Sequence, residues 1–548
     1  RTQHYGMETY SGTVDQMAAI GNIFPVFFFL VSALVCLTTM TRMIDEERGQ
    51  IGILRALGYT QFQCAFKYLF YAFSATLIGC MIGSVIGTLT FPKIIYESWK
   101  MLYIEPDMHL YIPFHLIVIA TISFLIVMCF TTYYVCHQSM KEVPSQLLRP
   151  ASPKLGKSTF IERIGFIWNH LSFTWKVTVR NLLRYKRRLI MTVIGVGGCS
   201  ALMVIGFGIR DSINQMVKLQ FTDITHYDGS AKINAEISSE DKNALIETVN
   251  TDKGVASNLT AVSYTGIVTF NDEDETVLTQ VFENNAEIEQ LYTLRTRKGH
   301  QPIPLTDEGI IISEKLSEDL NIHVGDAVTI ESKKGVRKKV QVSGICEMYI
   351  QHYAFISKPL YEKLFDTTLE DDTMFITCST DDSTQLQKML ANDSHIDSIS
   401  FYDVTLENFN QMVSTLNYII IVLIVSSMAL AFVVLGNLMN INISERQREI
   451  ATLKVLGFRK KEVQSYVYKE NNVLTLLGSI AGLPLGIAIH HWIMRELQFS
   501  YVMYGVDVMP LSLFLSVILT VAFGILVNLL MRKKLSTIEM VESLKSVE

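Results

Sequence analysis

Seven stretches of this 548-residue chain are apolar enough and long enough to cross a lipid bilayer as helices. They run from about Ile20 to Met40, Phe66 to Phe91, Ile112 to Cys136, Leu189 to Phe207, Tyr418 to Met439, Val473 to Met494 and Met509 to Met531. A bilayer core about 30 Å thick needs roughly 20 apolar residues in helical form. Inside it every backbone amide must find its partner within the protein, so helices are the form these runs take. Charged residues make up 18% of the chain, against about 25% in an ordinary soluble domain. None of the runs reads as a secretory leader, because none stands at a true N-terminus ahead of a cleavage site. The first residue is Arg1, and the expectation is that a longer protein continues ahead of it.

Lysine and arginine set the orientation. The segments Arg42–Lys67, His137–Arg188, Ile441–Asn471 and Arg532–Glu548 together hold 26 basic residues, whereas the short opposite loops Pro92–Tyr111 and Arg495–Val508 hold only Lys93, Lys100 and Arg495. The positive-inside rule puts the first set in the cytoplasm. The chain is then a multi-pass protein of the cell (plasma or inner) membrane, with its N-terminus outside and its C-terminus cytoplasmic. Between the fourth and fifth spans lies a long outer segment, about 211–415, with 34 acidic and 16 basic residues, a balance of 16 − 34 = −18. Ile310–Tyr349 reads as strand (Ile310–Ile312), short helix (Ser313–Leu320), turn (Val324–Asp326), strand (Ala327–Ile330) and an alternating strand (Val340–Ile345). The fold class is therefore an α-helical polytopic membrane protein with an extracellular α+β domain. Six of the eight cysteines lie in or beside apolar runs and act as small apolar fillers. Cys346 and Cys378 lie in the polar segment, where pairing is left open.

The chain repeats itself. Asp45–Gly58 and Ser444–Gly457 match at an offset of 457 − 58 = 399, and the span that follows each carries a row of glycines four residues apart: Gly79, Gly83 and Gly87, then Gly478, Gly482 and Gly486. Such a row makes a flat helix face that lets another backbone approach closely. Each cytoplasmic segment reads as a short amphipathic helix ending at a glycine, Gly58 or Gly457, in the C′ position. Ile44, Ile51, Leu54 and Leu57 share one face; Ile443, Ile450, Leu453 and Leu456 share the other copy's. The remaining positions include Glu46, Glu47, Arg48 and Arg55 in the first copy, and Glu445, Arg446, Glu449 and Lys454 in the second. Such a helix can lie on the membrane surface or dock a soluble partner; charges of both signs and the duplication favour docking.

Other motifs carry less. Gly156-Lys157-Ser158-Thr159 resembles the end of a phosphate-binding loop, but Ala151 stands where that loop needs glycine, and Pro144, Pro150 and Pro153 occupy the place of the strand. The segment Phe160–Arg188 reads better as an amphipathic helix on the inner membrane surface, with Trp168 and Trp175 in the interface and Lys176, Arg180, Arg184 and Arg187 toward anionic lipid. His490 and His491 are adjacent and point to different helix faces, so they do not share a metal; no metal site is expected. Charges inside the spans are too scarce for an ion relay. The basic clusters adjoin spans, so nucleic acid is not an expected partner.

The repeated segment Glu47-Arg48-x-x-Ile51-Gly52-Ile53-Leu54-Arg55-Ala56-Leu57-Gly58 resembles the coupling-helix motif of FtsX-like, or MacB-type, ABC transporter permeases, and Glu445–Gly457 resembles it with Lys454 in place of the arginine. Arg180–Arg188 is similar to that family's entry into its first helix, Ile310–Tyr349 to its core extracellular domain, and Val143–Pro150 and, more weakly, Met540–Lys545 to the close of its transmembrane unit. The resemblance implies an outer stalk end over 1–19, a first FtsX-like transmembrane domain over 20–150 and a cytoplasmic amphipathic linker over 151–188. It further implies a transmembrane helix over 189–210, a MacB-like α+β domain over 211–415 and a second FtsX-like transmembrane domain over 416–548. It implies no catalytic residue and no cofactor in this chain, with ATP and Mg on a partner dimer of ABC ATPase subunits.

Two functions share that motor. One is a permease that moves or extracts an amphipathic peptide, lipid or drug by mechanotransmission, in which the ATPases tilt the helices and the outer domain moves. The other is a signalling device whose outer domain controls a cell-wall hydrolase or senses an antimicrobial peptide, with an extracellular or regulatory protein as a further partner. A membrane enzyme or passive channel is disfavoured, because the sequence has no catalytic constellation and no pore-lining charge pattern. Membrane lipid is a partner in every case.

Overall fold

The computed structural model describes residues 46–99, 111–141, 173–184, 186–379, 383–402, 424–440, 455–496 and 502–531, with scattered residues elsewhere, chiefly within 25–44 and 443–452. The chain divides into two compact units: Arg1–Arg210 with Thr415–Ile493 and Asp507–Glu548, and Asp211–Ser414 with Met494–Val506.

The first unit is helical. Among the described residues, five helices are long and apolar enough to span a bilayer: Gln61–Lys93, Phe114–Gln138, Leu189–Ile224, Glu462–Arg495 and Pro510–Leu530. The other two expected spans appear as the shorter apolar helices Phe28–Thr41 and Ile424–Asn440; most of the remainder of each expected span lies outside the described residues. Six elements matter below: α1 (Arg48–Ala56), α2 (Gln61–Trp99), α3 (Phe114–Ser139), α4 (Lys186–Lys218), α5 (Lys460–Glu496) and α6 (Pro510–Leu530). Of the surface helix expected over Phe160–Arg188, Phe173–Arg184 is described and is helical.

The repeat is built into the packing. Ile44 and Ile51 sit in a core with Met40, Ala65, Tyr68, Val135 and Cys136. Their counterparts Ile443 and Ile450 sit in a core with Val196, Leu435, Met439 and Val463. Polar groups inside the helices bond across them, as a group without water to turn to must. Ser200 donates to the Ser479 carbonyl at 3.0 Å, Ser427 to that of Cys199 at 2.8 Å, and the amides of Asn471 and Asn528 meet at 2.7 Å. The Asn437 amide donates to Thr39 Oγ1 at 2.9 Å, joining the two repeats.

The second unit is α+β. Its nine strands run in the order β3-β7-β4-β6-β5-β2-β8-β1-β9, with β3 also paired to β2. The strands are β1 Gly229–Ile233, β2 Val255–Phe270, β3 Glu273–Phe282, β4 Ile310–Ser313, β5 Ala327–Glu331, β6 Arg337–Cys346, β7 Tyr353–Ser357, β8 Thr373–Cys378 and β9 Ile396–Phe401. The β2–β3 pairing closes β2, β3, β7, β4, β6 and β5 into a ring, filled by Val262, Val268, Val277, Ile310, Ile330 and Val342 among others. The remaining strands form β9-β1-β8-β2, with helices Ser239–Thr251 and Thr384–Ala391 following β1 and β8. That order, with a helix in each of two βαβ units, is the ferredoxin-like arrangement, and the ring is an insertion between β2 and β8. β2 serves both parts, which accounts for its 16 residues. The β2–β3 turn is two residues, Asn271 (φ 50°) and Asp272 (φ 66°), a type I′ geometry that these residue types tolerate.

Cys346 and Cys378 are both free thiols. They end β6 and β8, and β5 and β2 stand between those strands. Strands lie about 4.8 Å apart, so three steps exceed the ~7 Å Cα reach of a disulfide.

Asp372, on the link into β8, is 6% exposed and meets both Lys232, at 2.7 Å, and Lys333. Burial alone would raise its pKa, but hydrogen bonds from the two lysines outweigh burial and hold the carboxyl below its ordinary value. A depressed folded pKa adds stability above the unfolded value, about 3.9, and that contribution is lost as pH falls through the folded one. Asp372→Asn leaves two partly solvated cations facing a neutral amide and is expected to cost about 1.5–3 kcal/mol near pH 7. Thermal unfolding from pH 7 to pH 3 checks it: the gap between wild type and variant should shrink on acidification. A gap independent of pH would show that the ion pairs do not carry the effect.

Candidate functional site

The two repeated turn helices are the candidate site. In the first copy α1 ends at Leu57, and Gly58 follows with φ +92°. The Gly58 amide donates to the Arg55 carbonyl at 3.2 Å and that of Tyr59 to Leu54 at 3.1 Å, which closes the helix end. Gly457 repeats the conformation, with φ +89°. Side chains disfavour this left-handed region, so glycine fixes where each helix stops and how α2 and α5 begin.

The apolar face expected to act as one divides in two. Ile51 and Gly52 are buried, as are Ile450 and Ala451, and with Ile44 and Ile443 they hold each turn helix against its own helices. Leu57 is 71% exposed and its counterpart Leu456 69%; Leu54, at 38%, and Ile53, at 53%, lie open beside Leu57. The exposed part is thus the C-terminal end of each turn. Glu46 and Arg55 are exposed and half-buried respectively. Glu47 is committed internally: it accepts from Lys67 Nζ at 2.6 Å and from the Tyr68 hydroxyl at 2.8 Å. Those bonds, Lys67's above all, hold its carboxyl below the ordinary range, and they pin α1 to α2. Glu445, Arg446, Glu449, Leu453 and Lys454 lie outside the described residues.

The two glycine rows have different surroundings. A Cβ on Gly478 would stand 2.7 Å from Val196 Cβ, and one on Gly486 2.7 Å from Val204 Cβ; one on Gly482 would strike the Gly197 carbonyl and lie 2.9 Å from Ser200 Cβ. α4 therefore runs against α5 along this row, backbone to backbone. A Cβ on Gly79 or Gly83 would meet nothing within 4 Å among the described residues, and one on Gly87 only Phe91 of its own helix, at 3.9 Å. The same spacing yields a tight interface in the second repeat and, among the described residues, an open face in the first.

His490 and His491 stand with rings 6.0 Å apart and nearly perpendicular, and His490 is buried against Gly208. Among the described residues no cluster of histidine, cysteine or carboxylate side chains could hold a metal ion. The Gly156–Thr159 segment lies outside the described residues.

Apolar helices, a duplicated helical unit and an α+β domain between its halves define a multi-pass membrane protein with one folded outer domain. The chain matches the FtsX-like permease C-terminal domain twice, over 22–143 and 421–540, and the MacB-like periplasmic core domain over 189–393. It belongs to the FtsX-like, MacB-type ABC transporter permeases. Curated relatives include an uncharacterized ABC transporter permease of Methanocaldococcus jannaschii, 27% identical over 31% of this chain and 44% of that protein. The uncharacterized ABC transporter permease YknZ of Bacillus subtilis is 26% identical over 32% of this chain and 47% of that protein. The chain thus spans about half the length of these relatives. Among solved structures, the periplasmic region of MacB from Actinobacillus actinomycetemcomitans aligns over 34% of this chain and 94% of that one, at 13% identity and a TM-score of 0.22. The extracellular domain of YknZ from Gram-positive bacteria aligns over 32% and 98%, at 14% identity and a TM-score of 0.21.

Proposed function

We propose that this chain is the membrane subunit of an ATP-driven transporter of the mechanotransmission type, acting on an amphipathic peptide, lipid or drug. ATP and Mg belong to a separate pair of ATPase subunits, one seated on each turn helix. One observation carries the reading: Leu57 and Leu456, equivalent in the repeat, are 71% and 69% exposed, while the isoleucines one or two turns earlier are buried. A helix lying on the membrane surface would not need an anchored side and a second, separate apolar end. Docked ATPases that close on ATP would push both turn helices together, and the rigid helices that follow would carry the movement outward. Loss of ATPase co-purification on charging both leucines tests this.

The reading requires the turn helices in the cytoplasm and the α+β domain outside. In intact cells carrying a cysteine-free background, Asp274→Cys and Asp107→Cys are expected to react with an impermeant maleimide, and Gly49→Cys and Arg448→Cys only after lysis. Labelling of Gly49→Cys from outside would reverse the orientation and remove the ATPase site from reach of ATP.

A further inference from the structure

α4 ends in an unusual way. Its last helical residue is Lys218, and Leu219–Ile224 continues as a π-helix, in which the Thr225 amide donates to the Gln220 carbonyl at 3.1 Å, five residues back. Such segments are rare and often mark sites of function. Here the π turn presents Gln220, which is 3% exposed. Its Oε1 accepts from the Tyr349 backbone amide at 2.8 Å, and its Nε2 donates to Thr225 Oγ1 at 3.1 Å and reaches Met348 Sδ at 3.6 Å. The Tyr349 carbonyl accepts in turn from the Met503 amide at 2.9 Å, and Ile350 bridges to Val502. Val502, Met503 and Tyr504 belong to the connection between α5 and α6, yet they are 5%, 1% and 4% exposed within the α+β unit.

A second strand of bonds runs beside the first. Asp223, also on the π turn, lies 3.9 Å from the Arg295 guanidinium. Arg295 donates to Glu347 at 2.7 Å, and Glu347 accepts from the Tyr349 hydroxyl at 2.6 Å. The segment 347–350 is thereby held on one side by the end of α4 and on the other by the α5–α6 connection.

We infer that Gln220, through Tyr349 and Met503, is the joint at which the α+β domain receives movement from three membrane helices at once. The inference rests on the force-transmission reading above and names the residues that would carry the force. The end of α4 and the α5–α6 connection bond to the same short segment, 347–350, of the domain. The joint depends on buried amide bonds, which are directional, so its loss should free the movement without unfolding the domain.

The test uses the full chain with its ATPase in nanodiscs, read by hydrogen exchange with and without a non-hydrolysable ATP analogue. Gln220→Leu keeps bulk and removes both amide functions; Met503→Pro removes the donor on the far side. In either variant the amides around 349 and 503 are expected to exchange about tenfold faster. Ring strands such as β5 should stay as protected as in wild type, and ATPase co-purification and turnover should persist. The nucleotide-dependent change in the α+β domain seen in wild type should be absent. If both variants keep that change, the joint is not where movement enters. If the wild-type domain ignores nucleotide, the force-transmission reading falls, and this joint with it.

Discussion

A Gly482→Leu chain is expected to lose about 3 kcal/mol of stability, at the upper end of what overpacking a tight core costs. A Cβ at that position strikes the Gly197 carbonyl, a backbone atom that cannot rotate away, and lies 2.9 Å from Ser200 Cβ. Relief would require α4 and α5 to part along the whole Gly478–Gly486 row, breaking the bond from Ser200 to the Ser479 carbonyl as well. In detergent the unfolding midpoint should fall by roughly 4 °C. Gly83→Leu, at the equivalent place in the first repeat, should leave this chain's midpoint unchanged, because a Cβ there meets nothing within 4 Å among the described residues. Equal falls in the two variants would mean that the first row is also packed; no fall in either would mean that α4 and α5 are not held by their backbones.

The second large effect concerns the ATPase. Leu57→Asp together with Leu456→Asp should abolish co-purification of the ATPase and leave ATP turnover insensitive to the membrane subunit. Each leucine is mostly exposed, so the change should not unsettle the chain itself. Truncating a buried interface anchor costs about 2 kcal/mol or more, near 30-fold per site. With two sites loaded by one ATPase dimer the losses combine, to about a thousandfold. Ile51→Asp is the contrasting variant: that side chain is 3% exposed within its own helices, and charging it should lower folded yield instead. Undiminished co-purification by the doubly charged variant would leave the turn helices as membrane-surface elements.

The contrast between Ile51 and Leu57 shows what sequence periodicity conveys and what it does not. Both lie on one apolar face, and spacing alone assigns them a common role. Only the surrounding helices decide that one is covered by its own protein and the other left for something else. The glycine rows make the same point, being identical in spacing and, among the described residues, different in environment. The spans and the strands around Ile310 and Val340 were legible because apolar runs and strict alternation are local signals. β6 begins earlier than its apolar residues suggest, at Arg337, because Arg337, Lys338 and Lys339 form its exposed end beside β5. The β2–β3 hairpin had a readable signal, Asn271-Asp272 directly after the mainly apolar run Ile267–Phe270. Gln220 and Tyr349 had none: they are 129 residues apart, and their bond exists only after the domain has closed.

The domain's first and last strands are neighbours. Gly229 pairs with Phe401 across β1 and β9, and paired residues on antiparallel strands have Cα atoms roughly 5 Å apart. Chain therefore enters and leaves the folded body through a doorway no wider than a tight turn. An insert with that geometry imposes no separation on the two segments that flank it, whatever its size. Residues 229–401 could be exchanged for a larger or smaller body, or for a few turn residues, without altering the distance between the flanking segments. A replacement body would have to reproduce one further tether, the bonds by which Tyr349 meets Gln220 and Met503 outside the insert.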